Sequence, residues 1–101
     1  MSIPTIAQAK TYLRQVSDDL DAGIAVAIAT AQAEMDGFIG GEPSAVRWPT
    51  EQDVPGDVLG AALVLTQLHF EGGEPQAAEY QRGAAQSLLS KYRIDSGMRA
   101  A

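Results

Sequence analysis

The sequence predicts a small all-α domain of four helices, and three observations predict it. Apolar residues recur at spacings of three and four along most of the chain, as they do in helices with one packed face. Glycine pairs and prolines fall between these stretches, where helices stop and restart. Alanine, the strongest helix former, is abundant, and no alternation of apolar and polar residues marks a strand. The 101 residues are enough for one domain with a real core, and the absence of cysteine means that no disulfide holds it.

Thr5 caps a first helix expected over about residues 6–15. Gln8 completes a capping box, and Ile6, Ala9, Leu13 and Val16 supply the apolar positions. A second helix is expected from Ser17 or Asp18, because Asp18, Asp19 and Asp21 suit the positive end of a helix dipole. Leu20, Ile24, Ala27, Ile28, Ala31, Met35, Phe38 and Ile39 then trace one continuous stripe, which Gly40 and Gly41 terminate. Residues 40–53 show no period and read as a long loop. Within it, Trp48 is expected to plug one end of the bundle, with a partner contact through Arg47 and Trp48 as the second reading.

The third helix, expected over Val54 to Phe70, is the most informative element. Pro55 and Asp57 suit its start, and the Gly72–Gly73 pair followed by Pro75 ends it. Between Val58 and Leu65 only Gly60 interrupts the apolar residues, whereas a surface helix of a small domain keeps one polar face. Such a helix belongs at the centre of a bundle, and its surplus apolar surface fits contact with another subunit. Leu59, Leu63 and Phe70 are the candidates for that contact. A fourth helix runs from Pro75 or Gln76 to Tyr92, with Ala77, Tyr80, Ala84, Leu88 and Tyr92 expected on its packed face. The expected architecture is therefore a single domain over residues 1–94. It has two longer antiparallel central helices, a long loop between helices two and three, and a flexible C-terminal tail at 95–101.

Charge is segregated along the chain. Residues 1–16 carry +2, residues 17–79 carry −11 and residues 80–101 carry +3, for a net −6. An acidic body argues against a surface that grips nucleic-acid phosphates, and basic ends fit acidic bodies of neighbouring copies or an acidic partner. No apolar run reaches the roughly 20 residues of a membrane helix. The N-terminus lacks the order of a signal peptide, so an intracellular, soluble protein is expected.

Residues for catalysis are not evident. His69 is the only histidine, and a lone histidine on a packed helix reads first as a structural or interface residue. Ser17, Asp19 and Asp21 resemble the start of a calcium loop, but Ala22 and Ile28 stand where that loop needs glycine and a carboxylate. The glycine pairs lack the following lysine or spaced glycines of a phosphate cradle. A recognition helix for DNA would be basic and amide-rich, and Leu59 to Leu68 is not. No enzyme activity, cofactor or metal is expected.

Taken in order, several stretches resemble a known family. They are Ala7-Gln8-Ala9-Lys10-Thr11-Tyr12-Leu13-Arg14, then Asp18-Asp19-Leu20-Asp21 opening a long amphipathic helix, then Val54-Pro55 and an apolar helix ending His69-Phe70-Glu71-Gly72-Gly73. The chain closes on Leu88-Leu89-Ser90-Lys91-Tyr92-Arg93. Over about residues 5–94 this order is similar to the head-tail connector proteins of tailed bacteriophages of the HK97 type, also called adaptor or head-completion proteins. The resemblance implies a non-enzymatic virion protein, assembled in the host cytoplasm and placed at the head-tail interface. It would form a homo-oligomeric ring, dodecameric in the virion, between the portal protein and a stopper or tail-completion protein. Genomic DNA would pass through the channel without specific binding. Lys91, Arg93 and Arg99 would then form a tail that docks on the portal. The alternative from another class is a small helical regulatory or protein-binding module, antitoxin-like or an adaptor bundle. A third is a small enzyme or ligand-binding bundle with its pocket near His69 and Tyr80.

Overall fold

A computed structural model describes residues 2–93, and among them every regular element is helical. The helices are α1 (Ile6–Leu13), α2 (Asp21–Ile39), α3 (Ser44–Arg47), α4 (Gly56–Glu71) and α5 (Pro75–Leu89). Single 3₁₀ turns lie at Glu51–Asp53 and Ser90–Tyr92. The all-α expectation holds. The expected tail at 95–101 lies outside the described residues.

Local chemistry explains most of the boundaries. The Thr5 hydroxyl accepts from the Gln8 amide while the Gln8 side chain accepts from the Thr5 amide, so the capping box forms as the sequence predicts. The first helix ends at Leu13, two residues before the expected end, because Arg14 adopts the left-handed conformation (φ 60°) and its amide turns back to Lys10 and Thr11. Asp18 and Asp19 precede the second helix. Asp21 opens it, as expected, and Asp18 and Asp21 converge on Lys10, at 2.7 and 3.0 Å, which ties the end of α1 to the start of α2. Gly40, Gly41, Gly72 and Gly73 all take positive φ, which explains glycine at both stops.

The expected loop at 40–53 is more ordered than its lack of period implies. A side-chain relay from α2 holds its first half: Asp36 accepts from the Ser44 amide at 3.1 Å, and Gln32 donates to the Ser44 hydroxyl at 3.1 Å. Gln32 also accepts from the Ile3 amide, so one polar side chain fixes both the N-terminal segment and α3. Ser44 is buried, and α3 is a single turn built on it. Thr50 and Asp53 bond reciprocally around the next turn.

α4 is the centre of the fold, packed between α2 and α5, with α1 lying across α2 and α4. The main core joins Ala31, Met35 and Ile39 of α2 to Val58, Ala61, Ala62, Leu65 and Leu68 of α4 and to Ala85 and Leu89 of α5. Small alanines on α4 allow close approach of its neighbours. A second cluster unites Ala9 and Leu13 of α1 with Ile24 and Ile28 of α2.

The packed face of α5 differs from the expected one. Ala85 and Leu89 are buried and Ala78 and Tyr92 pack against the core, whereas Ala77, Ala84 and Leu88 are exposed and Tyr80 is 81% exposed. The cause is visible in the sequence. Apolar doublets at 77–78, 84–85 and 88–89 offer two helical registers one residue apart, about 100° around the axis. The register that packs is the one sharing a side with Arg82, which Glu34 of α2 binds.

Candidate assembly surface

On the open side of α4, Leu59 and Leu63 face a groove whose other wall is α1. Ala7, Gln8, Thr11 and Tyr12 complete its lining, and it encloses about 410 Å³. Leu59 and Leu63 are half-buried and Tyr12 is 41% exposed. The chain's own helices therefore cover three sides of α4 and leave an apolar strip on the fourth. Phe70, the third expected contact residue, is placed differently. It packs on the Ala9, Leu13, Ile24 and Ile28 cluster, and its ring edge would sit 3.6 Å from a Cβ at Gly23. Phe70 belongs to the chain's own core, and the surplus narrows to Leu59 and Leu63. The α1 wall was not foreseen from the sequence. Its signal is the pair of small residues Ala7 and Thr11, four apart beside Tyr12, which keeps that wall low.

At one end of the bundle, Trp48 packs half-buried on the core and meets Tyr92 edge-to-face, with centroids 5.6 Å apart. This is the plug that the sequence predicts as the first reading of the indole. The Arg47 guanidinium lies 5.0 Å over the Trp48 ring, and its Nη1 is buried without a hydrogen-bond partner among the described residues.

Lys91 and Arg93 are not parts of a free tail. The Lys91 ammonium is 3.0 Å from Asp57 Oδ2, and Tyr92 donates its hydroxyl to Asp57 Oδ1 at 2.8 Å. These two contacts hold the Asp57 carboxyl below the usual carboxylate range, Lys91 first and Tyr92 second. Lys91 is raised in turn by Asp57, and burial, followed by the bond to Asp57, pushes the Tyr92 phenol up. Arg93 lies 5.0 Å over the Phe38 ring. Both basic residues thus fasten the turn that follows α5 to the start of α4 and the end of α2. Arg99 lies outside the described residues.

His69 takes part in a clasp across three helices. Glu34 of α2 accepts from Arg82 of α5 through Nε at 2.5 Å and Nη2 at 3.2 Å, and its Oε1 lies 2.8 Å from His69 Nε2 on α4. Arg82, with His69 as a smaller contribution, keeps the Glu34 carboxyl below the ordinary range against the opposing effect of burial. An ionised carboxylate only accepts, so His69 Nε2 carries the hydrogen. Tyr80 lines a shallow depression on the outer face of α5, with Glu79, Gly83, Ala84 and Ser87.

Among the described residues, no group of three histidine or carboxylate side chains is placed to hold a metal ion. None of their helices is long and apolar enough to cross a membrane. No protein-family model, curated protein or solved structure matches this chain.

Proposed function

We propose that this chain is a structural assembly protein of the head-tail connector type, a ring adaptor between a phage portal and the next tail component. The observation that carries the reading is the apolar strip of Leu59 and Leu63 on the central helix, left open at the α1 groove. A head-to-tail ring needs two different surfaces on each subunit, and this groove is suited to be one of them. The resemblance over residues 5–94 supplies the rest of the reading: portal on one side, stopper or tail-completion protein on the other, DNA through the middle. The −11 charge over residues 17–79 supports it, since an acidic lumen repels DNA and lets it slide.

The test is assembly. Mixed with portal rings encoded by the same genome, the protein should form a channelled collar visible by negative-stain electron microscopy. Leu59→Asp with Leu63→Asp should abolish the collar while helical circular dichroism is retained. A protein that ignores portal and binds a single unrelated partner through the same groove would replace this reading with the protein-binding module.

A further inference from the structure

We infer that the end of the bundle where α2 stops and α4 begins is a binding surface for an acidic peptide segment of a partner protein, gripped by Arg47 and Arg93. The chain has seven lysine and arginine residues against thirteen acids, so it holds an acid for every cation. Lys10 pairs with Asp18 and Asp21, Arg82 with Glu34, and Lys91 with Asp57. Arg47 and Arg93 depart from this pattern. Among the described residues neither has a carboxylate within 4.0 Å, and each guanidinium lies instead 5.0 Å over a ring, Trp48 for Arg47 and Phe38 for Arg93.

The two arginines belong to one continuous surface. Trp48 and Tyr92 meet edge-to-face, Arg93 follows Tyr92 in the chain, and Phe38, Trp48 and Tyr92 all pack on the main core. The carboxylates of this region are engaged elsewhere. Asp36 accepts from the Ser44 amide, Asp53 from Thr50, and Asp57 from Tyr92 while it pairs with Lys91. A guanidinium seated on a ring keeps its edge, and so its fork of N–H donors, for a carboxylate. Arg47 shows an unmet demand directly, because its Nη1 is buried without an acceptor among the described residues. A turn of the guanidinium on the ring face, still within the roughly 6 Å over which the ring attracts it, brings that donor to an incoming acid.

The same charges select a carboxylate-bearing segment over nucleic acid. Residues 17–79 carry −11, a field that repels a long polyanion, and two arginines make a small footprint for a phosphate backbone. A short acidic segment needs only a carboxylate for each guanidinium, held by charge-assisted bonds, with the exposed edges of Trp48 and Tyr92 as its apolar floor. This surface does not rest on the connector reading, because it shares no residue with the α1 groove.

Trp48 is the only tryptophan, so its fluorescence reports binding to the full chain at this place. Hexaglutamate should change it saturably, with a Kd of roughly 10–1,000 µM at low salt that weakens as salt rises, and hexaglutamine should leave it unchanged. Arg47→Gln and Arg93→Gln should each raise Kd by about tenfold, the effect of one charge-assisted bond. Arg14→Gln removes the same charge at the opposite end of α2 and should leave Kd within about twofold, with helical circular dichroism retained in all three variants. An equal loss in the three variants would reduce the effect to general attraction between charges and overturn the inference. It would also be overturned by binding of hexaglutamine, by no saturable response up to about 10 mM hexaglutamate, or by a tighter, Arg47-dependent response to hexathymidylate, which would give the surface to phosphates.

Discussion

Replacing Glu34 by Gln should loosen the three-helix clasp and lower stability by about 1–2 kcal/mol. The magnitude follows from exposure. Fully exposed ion pairs contribute about 0–1 kcal/mol, and breaking a buried one costs about 3–5 kcal/mol. The Glu34 side chain is 26% exposed and that of Arg82 is 37%, which places this cluster near the lower end of that interval. Glutamine keeps the size but removes the charge that both Arg82 and His69 address. For a domain of about 100 residues the loss corresponds to roughly 5–15 °C in Tm, measured by circular dichroism, with urea midpoints as the equilibrium check. Because the folded-state pKa of Glu34 lies below its unfolded value, its contribution is complete above an unfolded pKa of about 4.3 and is lost as pH falls through the folded value. The difference between wild type and Glu34→Gln should therefore shrink below about pH 4. A loss under about 0.3 kcal/mol at pH 7, or an undiminished loss in an Arg82→Gln background, would refute the coupling.

Met35→Ala empties a fully buried position between α2 and α4 and should cost about 2–4 kcal/mol in urea unfolding. Gly37→Ala should stabilise by about 0.5–1 kcal/mol, since Gly37 lies inside α2 with nothing within 4 Å of a new Cβ. Thr5→Ala removes the capping box and should cost about 1 kcal/mol, with amide exchange accelerating in α1 and unchanged at the centre of α4.

The fold class was legible because its signals are local. Thr5 with Gln8, the stripe from Ile24 to Ile39 and the glycine stops each act within a few residues, and each appears where the spacing puts it. Three things were not legible, for related reasons. Ser44 becomes the root of a helical turn only because Gln32 and Asp36 reach it from α2, and no period within residues 40–53 encodes that. The face of α5 was ambiguous because each apolar doublet fits either register, and Glu34, 48 residues away from Arg82, lies on the side that packs. Phe70 looked surplus on α4 until α1 and α2 supplied a second cluster to receive it. In each case the deciding partner is distant in sequence.

The excess of apolar surface on the central helix accordingly divides into parts with different destinations. Most of it is core. The remainder, Leu59 and Leu63, opens toward α1, while on the other side Leu88 of α5 reaches α4, its Cδ1 lying 3.8 Å from where a Cβ of Gly60 would stand. A head-to-tail contact continues from copy to copy until a ring closes, so the groove is tested by the size of the assembly that it supports. Tyr80→Lys, on the exposed outer face of α5, should leave collar formation on portal intact. Leu63→Asp should abolish the collar, because Leu63 lines the groove. Sedimentation of each variant with and without portal reads both outcomes, and a collar that survived Leu63→Asp with the helices intact would refute the groove as the assembly surface.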